Sequence, residues 1–331
     1  MRKFLLALIV SLFFTPAAFA QDVPSTPAGT GDDGPTLVHV GTYVQNITDI
    51  DFRNNKVTVD FYLWMRWKGD DVNPEANLEL VKAEILLNQS LDRRMIGDEN
   101  FIQARIRAIL DIPWDMRFFS LDTQVISIII EDLQLGVEDL VYVPDTVNST
   151  VRDGIWLPGY VLARQQALVV ENLYTSNFGD PQLSPNAEST FSRYVHEIVI
   201  KRSSPIYFFK LFITIFLSTL IVCLAFALEP ENVDGRVGLG VGSLFAVVAT
   251  NYVISSQLPE TDIITLADRI NFASMSMILV SLVLAVLAWR LWLKGGHERL
   301  VVALDRIGLI AMPTAYVGYI GSMILSADVP W

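Results

Sequence analysis

Cysteine is almost missing from this 331-residue sequence: Cys223 stands alone, inside an apolar run. One thiol excludes an intrachain disulfide and any cysteine-rich metal site, and it reads as a small buried or lipid-facing side chain. Histidine is nearly as scarce, with only His39, His196 and His297. No HExxH spacing, no glycine-rich phosphate loop and no cysteine nucleophile in the polar half of the chain is present, so an enzyme reading has no machinery to rest on and no metal or cofactor is expected. Positive charge is in deficit, with 24 Lys and Arg against 36 Asp and Glu, a net charge of −12. A surface that must neutralise phosphates needs the opposite balance, which excludes nucleic acid as a partner. An acidic domain instead concentrates cations.

What the chain has in excess is apolar sequence, 52% of residues with a mean hydropathy of +0.40. Residues 1–20 read as an export signal: Arg2 and Lys3, an apolar run to Phe14, then Ala18-Phe19-Ala20. Residues 21–36, rich in Pro, Gly, Thr and Asp, read as a disordered lead-in. The remaining apolar excess falls after Pro205. There, four segments at about 206–228, 237–258, 267–293 and 301–325 are each long enough, at ~1.5 Å per residue, to cross a hydrocarbon layer of ~30 Å. A lipid bilayer is therefore a partner of residues 204–331. Trp289, Trp292 and Trp331 are placed to sit at its interfaces, and Arg290, Lys294, Arg299 and Arg306 between the third and fourth segments mark the cytoplasmic side. This arrangement puts residues 37–203 and the C-terminus outside an inner (plasma) membrane crossed several times.

Residues 37–203 read as short strands. In Lys56 to Trp67, the residues Val57, Val59, Phe61, Leu63, Met65 and Trp67 alternate with Thr58, Asp60, Tyr62, Trp64 and Arg66, one face for a core and one carrying aromatics and charge. Further strands are expected at 37–48, 101–109, 121–131, 156–165, 167–174 and 191–201. Many short strands between polar turns predict an all-β, immunoglobulin-like antiparallel sandwich.

A sandwich joined to four helices is similar to the pentameric ligand-gated ion channels, the Cys-loop receptor superfamily, and particular residues carry the resemblance. Ile112 to Ile126 resembles the family's signature loop, whose core reads Phe-Pro-x-Asp-x-Gln. Phe119, Leu121, Asp122 and Gln124 fit, while Ser120 replaces the proline. The two cysteines that close the loop in animal receptors correspond to Ile112 and Ile126, as in prokaryotic members without the disulfide. Trp67 resembles the family's structural tryptophan, Leu258-Pro259 with Thr265 and Asp268 resembles the linker between the second and third helices, and Asp305-Arg306 with Pro313 resembles the start of the fourth. Arg202 falls where the family carries a basic residue before the first helix, which here has Thr214 in place of a proline.

The resemblance implies a homopentamer around a central pore lined by the second helix, and the residues of that helix point to monovalent cations as the permeant ions. Counting back from Pro259 by the family's spacing puts Arg236 at the inner end. It gives a water-facing stripe of Asp234, Gly238, Gly242, Phe245, Ala249, Tyr252 and Ser256, in steps of three or four residues. A ring of Asp234 carboxylates would select cations and a Phe245 ring would close the passage by dewetting. Polar Ser243, Thr250, Asn251, Ser255 and Ser256 also favour water along this helix. Against the stripe stands a small-xxx-small packing role for Gly238 and Gly242, and against the filter a plain solvated Asp234 beside Glu229 and Glu231.

The resemblance places a small-molecule agonist between subunits, under a hairpin bearing Tyr174, Phe178, Phe191 and Tyr194 and against a strand offering Tyr62, Trp64 and Arg66. The aromatics suit an ammonium group and Arg66 a carboxylate; the same aromatics also suit sandwich packing. Protons and divalent ions remain open as agonists or modulators. Coupling to the membrane is assigned to the loop 51–56 with Arg53, to Phe119 and Asp122, to Arg202 and to Pro259, with purely structural ion pairing as the competitor for Asp122 and Arg202. The rival to a channel is a non-conducting membrane-anchored sensor or adhesion protein of the same architecture.

Overall fold

The computed structural model describes residues 34–179, 181, 184, 187–260 and 262–326. The expected export signal, most of the lead-in and Trp331 lie outside them. Ten strands form two sheets. β1 (Thr36–Asp51), β2 (Lys56–Lys68), β4 (Ala83–Ile96), β5 (Glu99–Asp111), β7 (Leu140–Pro144) and β8 (Thr150–Val151) make the first, in the order β4-β5-β2-β1-β7 with β8 also on β1. The second is β3 (Leu78–Leu80), β6 (Thr123–Asp132), β9 (Tyr160–Thr175) and β10 (Glu188–Arg202), in the order β3-β6-β10-β9. The alternation in β2 is realised residue by residue: Val57, Val59, Phe61, Leu63, Met65 and Trp67 are buried, while Tyr62, Trp64 and Arg66 stay partly exposed on the other face. Period-2 burial of this kind fixes the register, because a slip by one residue would turn the whole apolar row outward.

Two expectations fail here. Nothing in the alternation announced β4, whose apolar residues Ile85, Leu86, Leu87, Leu91 and Met95 are exposed along a sheet edge. With no buried face, the strand has no period to read, and its pairing to β5 rests on backbone hydrogen bonds. Segments 156–165 and 167–174, expected as two strands, are instead one continuous β9, and Trp156 lies outside it. Gln166, left between the two expected strands, sits within this largely solvated one.

Between the sheets lies a polar knot. His196 Nδ1 is 2.7 Å from Thr42 Oγ1, Tyr194 OH is 2.9 Å from that oxygen, and Tyr194 OH donates to Ser149 Oγ at 3.0 Å. His196 is fully buried and its Nε2 has no partner among the described residues, and burial lowers its pKa to about 4 from 6.5. Below pH 6.5 the unfolded chain therefore binds a proton that the folded chain refuses, and the contribution of neutral His196 is lost as pH falls to about 4, amounting to about 3 kcal/mol. Thermal melts of the purified protein across that range should show falling stability, with a shallower fall in His196→Gln; identical slopes in the two proteins would show that His196 does not report the pH.

The second half holds four helical spans long and apolar enough to cross a membrane: Ile206–Ala227, Val233–Ser255, Leu266–Lys294 and Glu298–Leu325. They comprise α1 (Ile206–Leu224), α2 (Val233–Ser255), α3 (Leu266–Lys294) and a last rod of α4 (Glu298–Arg306) and α5 (Met312–Ser326) joined by a π turn, Ile307–Ala311. Pro313 explains that turn. It lacks an N–H and its ring crowds the carbonyl four residues back, so the helix widens just before it, with Met312 N–H donating to Ile307 O. Gly240 is required where α2 crosses α3, since a Cβ there would collide with Leu282. Asn271 Nδ2 donates to Asn251 Oδ1 at 2.6 Å, and Ser274 Oγ lies 2.7 Å from Tyr316 OH, which pins α3 to its neighbours on both sides.

Candidate functional site: the α2 face and the domain junction

α2 begins at Asn232, whose Oδ1 accepts from Gly235 N–H at 3.0 Å, and carries Asp234 in its first turn where the helix dipole favours a negative charge. One face, Arg236, Gly240, Ser243, Val247 and Ile254, is buried against the other helices. All seven stripe residues, Asp234, Gly238, Gly242, Phe245, Ala249, Tyr252 and Ser256, lie exposed. Among them Phe245 is 72% and Tyr252 77% exposed, and Val241, Leu244, Val248 and Val253 outside the stripe are exposed as well. A Cβ at Gly238 or Gly242 would meet nothing within 4 Å, so these glycines pack against no helix of their own chain. The polarity of the helix is a poorer guide than it looked. Ser243 is buried inside the bundle, Asn251 is held by Asn271, and Thr250 bonds back to Ala246 O at 2.9 Å.

At the junction between the sandwich and the helices, Asp122 and Arg202 meet. Arg202 Nε donates to Asp122 Oδ1 at 3.0 Å, and Tyr160 OH and Gln124 Nε2 donate to Oδ2 at 2.9 and 2.8 Å. The Arg202 guanidinium lies 4.2 Å from the ring centre of Tyr160, 4.5 Å from Tyr207, and 5.7 Å from each of Phe52 and Phe119. Around this cation one carboxylate and four aromatic rings take the place of water. Burial, and next the Asp122 charge, push the Tyr160 hydroxyl well above its usual range. A cavity of about 560 Å³, lined by Phe52, Phe119, Tyr160, Arg202, Tyr207 and Gln257 among others, opens beside it.

The junction continues into the membrane half, where the signature loop itself contributes Arg117. Tyr207, on α1, donates to Gln257 Oε1 at 3.3 Å, next to the linker that holds Pro259. Leu266 N–H, at the start of α3, donates to Arg117 O at 2.9 Å. Thr265 and Asp268 form a capping box at that start, Asp268 N–H to Thr265 Oγ1 at 3.1 Å and Thr265 N–H to Asp268 Oδ2 at 2.9 Å. Ser120, where the family has proline, has φ +77°, a value closed to proline. Arg53 is exposed and outside the cluster; its neighbour Phe52 supplies the contact instead.

The expected agonist residues divide. Tyr174 stacks edge-on with Phe178 and Phe191 at 5.7 and 5.6 Å. Tyr194 does not belong with them, since its strand parity turns it into the core, where it joins the His196 knot. Trp64 lies against Gly41 and donates through Nε1 to Asp145 Oδ2 at 3.2 Å, and Arg66 is 3.6 Å from Glu99. Tyr62 and Tyr174 stand on different sheets of one chain. Sequence reasoning missed the charges beside both groups. Under the hairpin, buried Glu131 accepts from Arg193 Nε at 2.5 Å and from Tyr174 OH at 2.8 Å. Beside Tyr62, buried Asp60 accepts from both Arg105 and Arg107 at 2.8 to 3.0 Å, and these arginines, Arg105 first, hold its carboxyl below the usual range.

No protein-family model matches the sequence. A proton-gated ion channel from Gloeobacter violaceus is 22% identical to it, over 92% of this chain and 87% of its own length. An acetylcholine-gated chloride channel subunit, acc-2, from Caenorhabditis elegans is 24% identical over 76% of this chain, which spans 60% of that protein. Likeness along nearly the whole chain, a two-sheet sandwich and four membrane-spanning helices in that order agree: the chain is similar to these gated ion channels and its architecture fits the Cys-loop receptor fold.

Proposed function

We propose that five copies of the chain surround a cation-selective pore in a bacterial inner membrane, opened from the extracellular side by a small ligand. The observation that carries this reading is the division of α2 into a face buried in its own bundle and an opposite face, Asp234 to Ser256, that its own chain leaves bare. Fivefold arrangement about that bare face turns each residue into a ring, with carboxylates at one end and Phe245 part-way along. A non-conducting sensor would not need a polar stripe on one helix, nor an acidic ring at its end. The names of the two relatives do not fix the sign of the permeant ion, one being a chloride channel; the sign rests on Asp234.

Of the two ligand chemistries, the charges favour a carboxylate. Glu131, beside the aromatic hairpin, already serves Arg193 and Tyr174 and is not itself open to an ammonium. On the Tyr62 face, Arg105 and Arg107 share Asp60, and we read their guanidiniums as the groups offered to a ligand carboxylate. Purified protein in planar bilayers under a NaCl gradient tests both statements. Current is expected on adding succinate or acetate, and not n-propylamine, with a reversal potential on the sodium side. Silence under these ligands and under acid, or a reversal on the chloride side, would refute the channel as described; a response to propylamine alone would reverse the ligand class.

A further inference from the structure

The inner end of α2 is tied to the last helix through charge. Arg236 is fully buried, and its Nη1 donates to Asp305 Oδ1 at 2.7 Å across 69 residues of sequence. Its Nη2 donates to Leu228 O at 2.5 Å, its guanidinium lies 5.6 Å from the Phe226 ring, and its Nε has no partner among the described residues. Phe226 in turn sits where a Cβ at Gly308 would be, so the base of α2, the end of α1 and the last rod close on one guanidinium. Asp305 is the single carboxylate that this guanidinium has among the described residues. A buried cation with no counter-ion acts over a longer distance than a solvated one, because little solvent screens it.

Arg236 and Asp234 are two residues apart, about half a turn around the helix and ~3 Å along it. The cation is thus on the bundle side and the carboxylate on the bare side of the same first turn. If that bare side lines a pore, each subunit holds an opposing positive charge beside each Asp234, and Asp305 is what cancels it. We infer that Asp305, on the helix farthest in sequence from the pore and bearing none of its lining, is a selectivity-determining residue: it neutralises Arg236 so that the inner mouth presents the charge of Asp234 with exposed Glu229 and Glu231. The inference rests on the pore reading of α2.

Reversal potentials in a NaCl gradient test it on three variants of the full chain. Asp305→Asn uncovers Arg236 and is expected to lower the sodium-to-chloride permeability ratio by roughly threefold or more. Arg236→Gln leaves Asp305 unopposed and is expected to raise it. The double variant, with neither charge, returns the ratio toward wild type, which a packing defect does not do. Should Asp305→Asn fail to assemble, the rise in Arg236→Gln and its reversal in the double variant still decide the matter. A cation-selective wild type whose variants all share its ratio would overturn this inference alone, whereas an anion-selective or silent wild type would overturn the pore reading with it.

Discussion

Arg202→Gln is expected to abolish ligand-evoked current while leaving assembled protein in the membrane. The side chain is 9% exposed and its charge partner Asp122 1%, and removing one member of a buried pair typically costs ~3–5 kcal/mol because the other is left desolvated and unpaired. If that cost falls on the open and closed states unequally, the gating equilibrium moves by up to roughly two to three powers of ten. The geometry gives reason to expect inequality. Arg202 ends β10 and lies four residues before α1, and its cage is assembled from β1–β2, the signature loop, β9 and α1. Any relative movement of sandwich and helices must rearrange these rings about the guanidinium. Asp122→Asn keeps the shape but drops the charge, so a smaller rightward shift of the dose-response curve is expected. Curves from both variants that superimpose on wild type, at equal surface amounts, would reduce the pair to a structural bond.

How much of this was legible beforehand differs with the kind of signal. β2 and the four spans could be read because burial imposes a period or a length on sequence, and both survive without knowledge of neighbours. The membership of Asp122 and Arg202 in one cluster came from resemblance alone, and no spacing rule joins two residues 80 positions apart. Glu131 with Arg193, Asp60 with Arg105 and Arg107, and Arg236 with Asp305 escaped for the same reason, since each pair is made by strand register or helix crossing. Tyr194 was misplaced for a subtler one: it is an aromatic close to the hairpin, but its parity on β10 is that of core Ser192 and His196, not of Phe191 and Arg193. The polar residues of α2 misled in the opposite direction. A serine or asparagine inside a bundle is satisfied by another helix as readily as by water.

The α2 register carries the largest consequence, because Asp234 and Phe245 were assigned to one face by counting and both are exposed on that face. Five phenylalanines around an axis offer water no hydrogen bonds, and a narrow apolar ring empties of water before its side chains touch, so an ion meets a gap it must cross without hydration. Replacing Phe245 with serine supplies a hydroxyl and removes the bulk, and resting conductance should rise even without ligand. Asp234 acts on a different quantity. A ring of carboxylates lowers the cost of drawing a cation from bulk water and raises it for chloride, so Asp234→Asn should move the reversal potential in a NaCl gradient toward zero while ligand sensitivity stays put. The two effects separate cleanly, since one is read as leak at zero ligand and the other as a voltage. The buried face of the helix provides the control: Val247, two residues beyond Phe245, points into the bundle, and Val247→Ala should change stability rather than either reading. Phe245→Ser and Asp234→Asn channels that match wild type, with Val247→Ala the variant that leaks, would mean that the helix is turned by half its circumference in the conducting assembly.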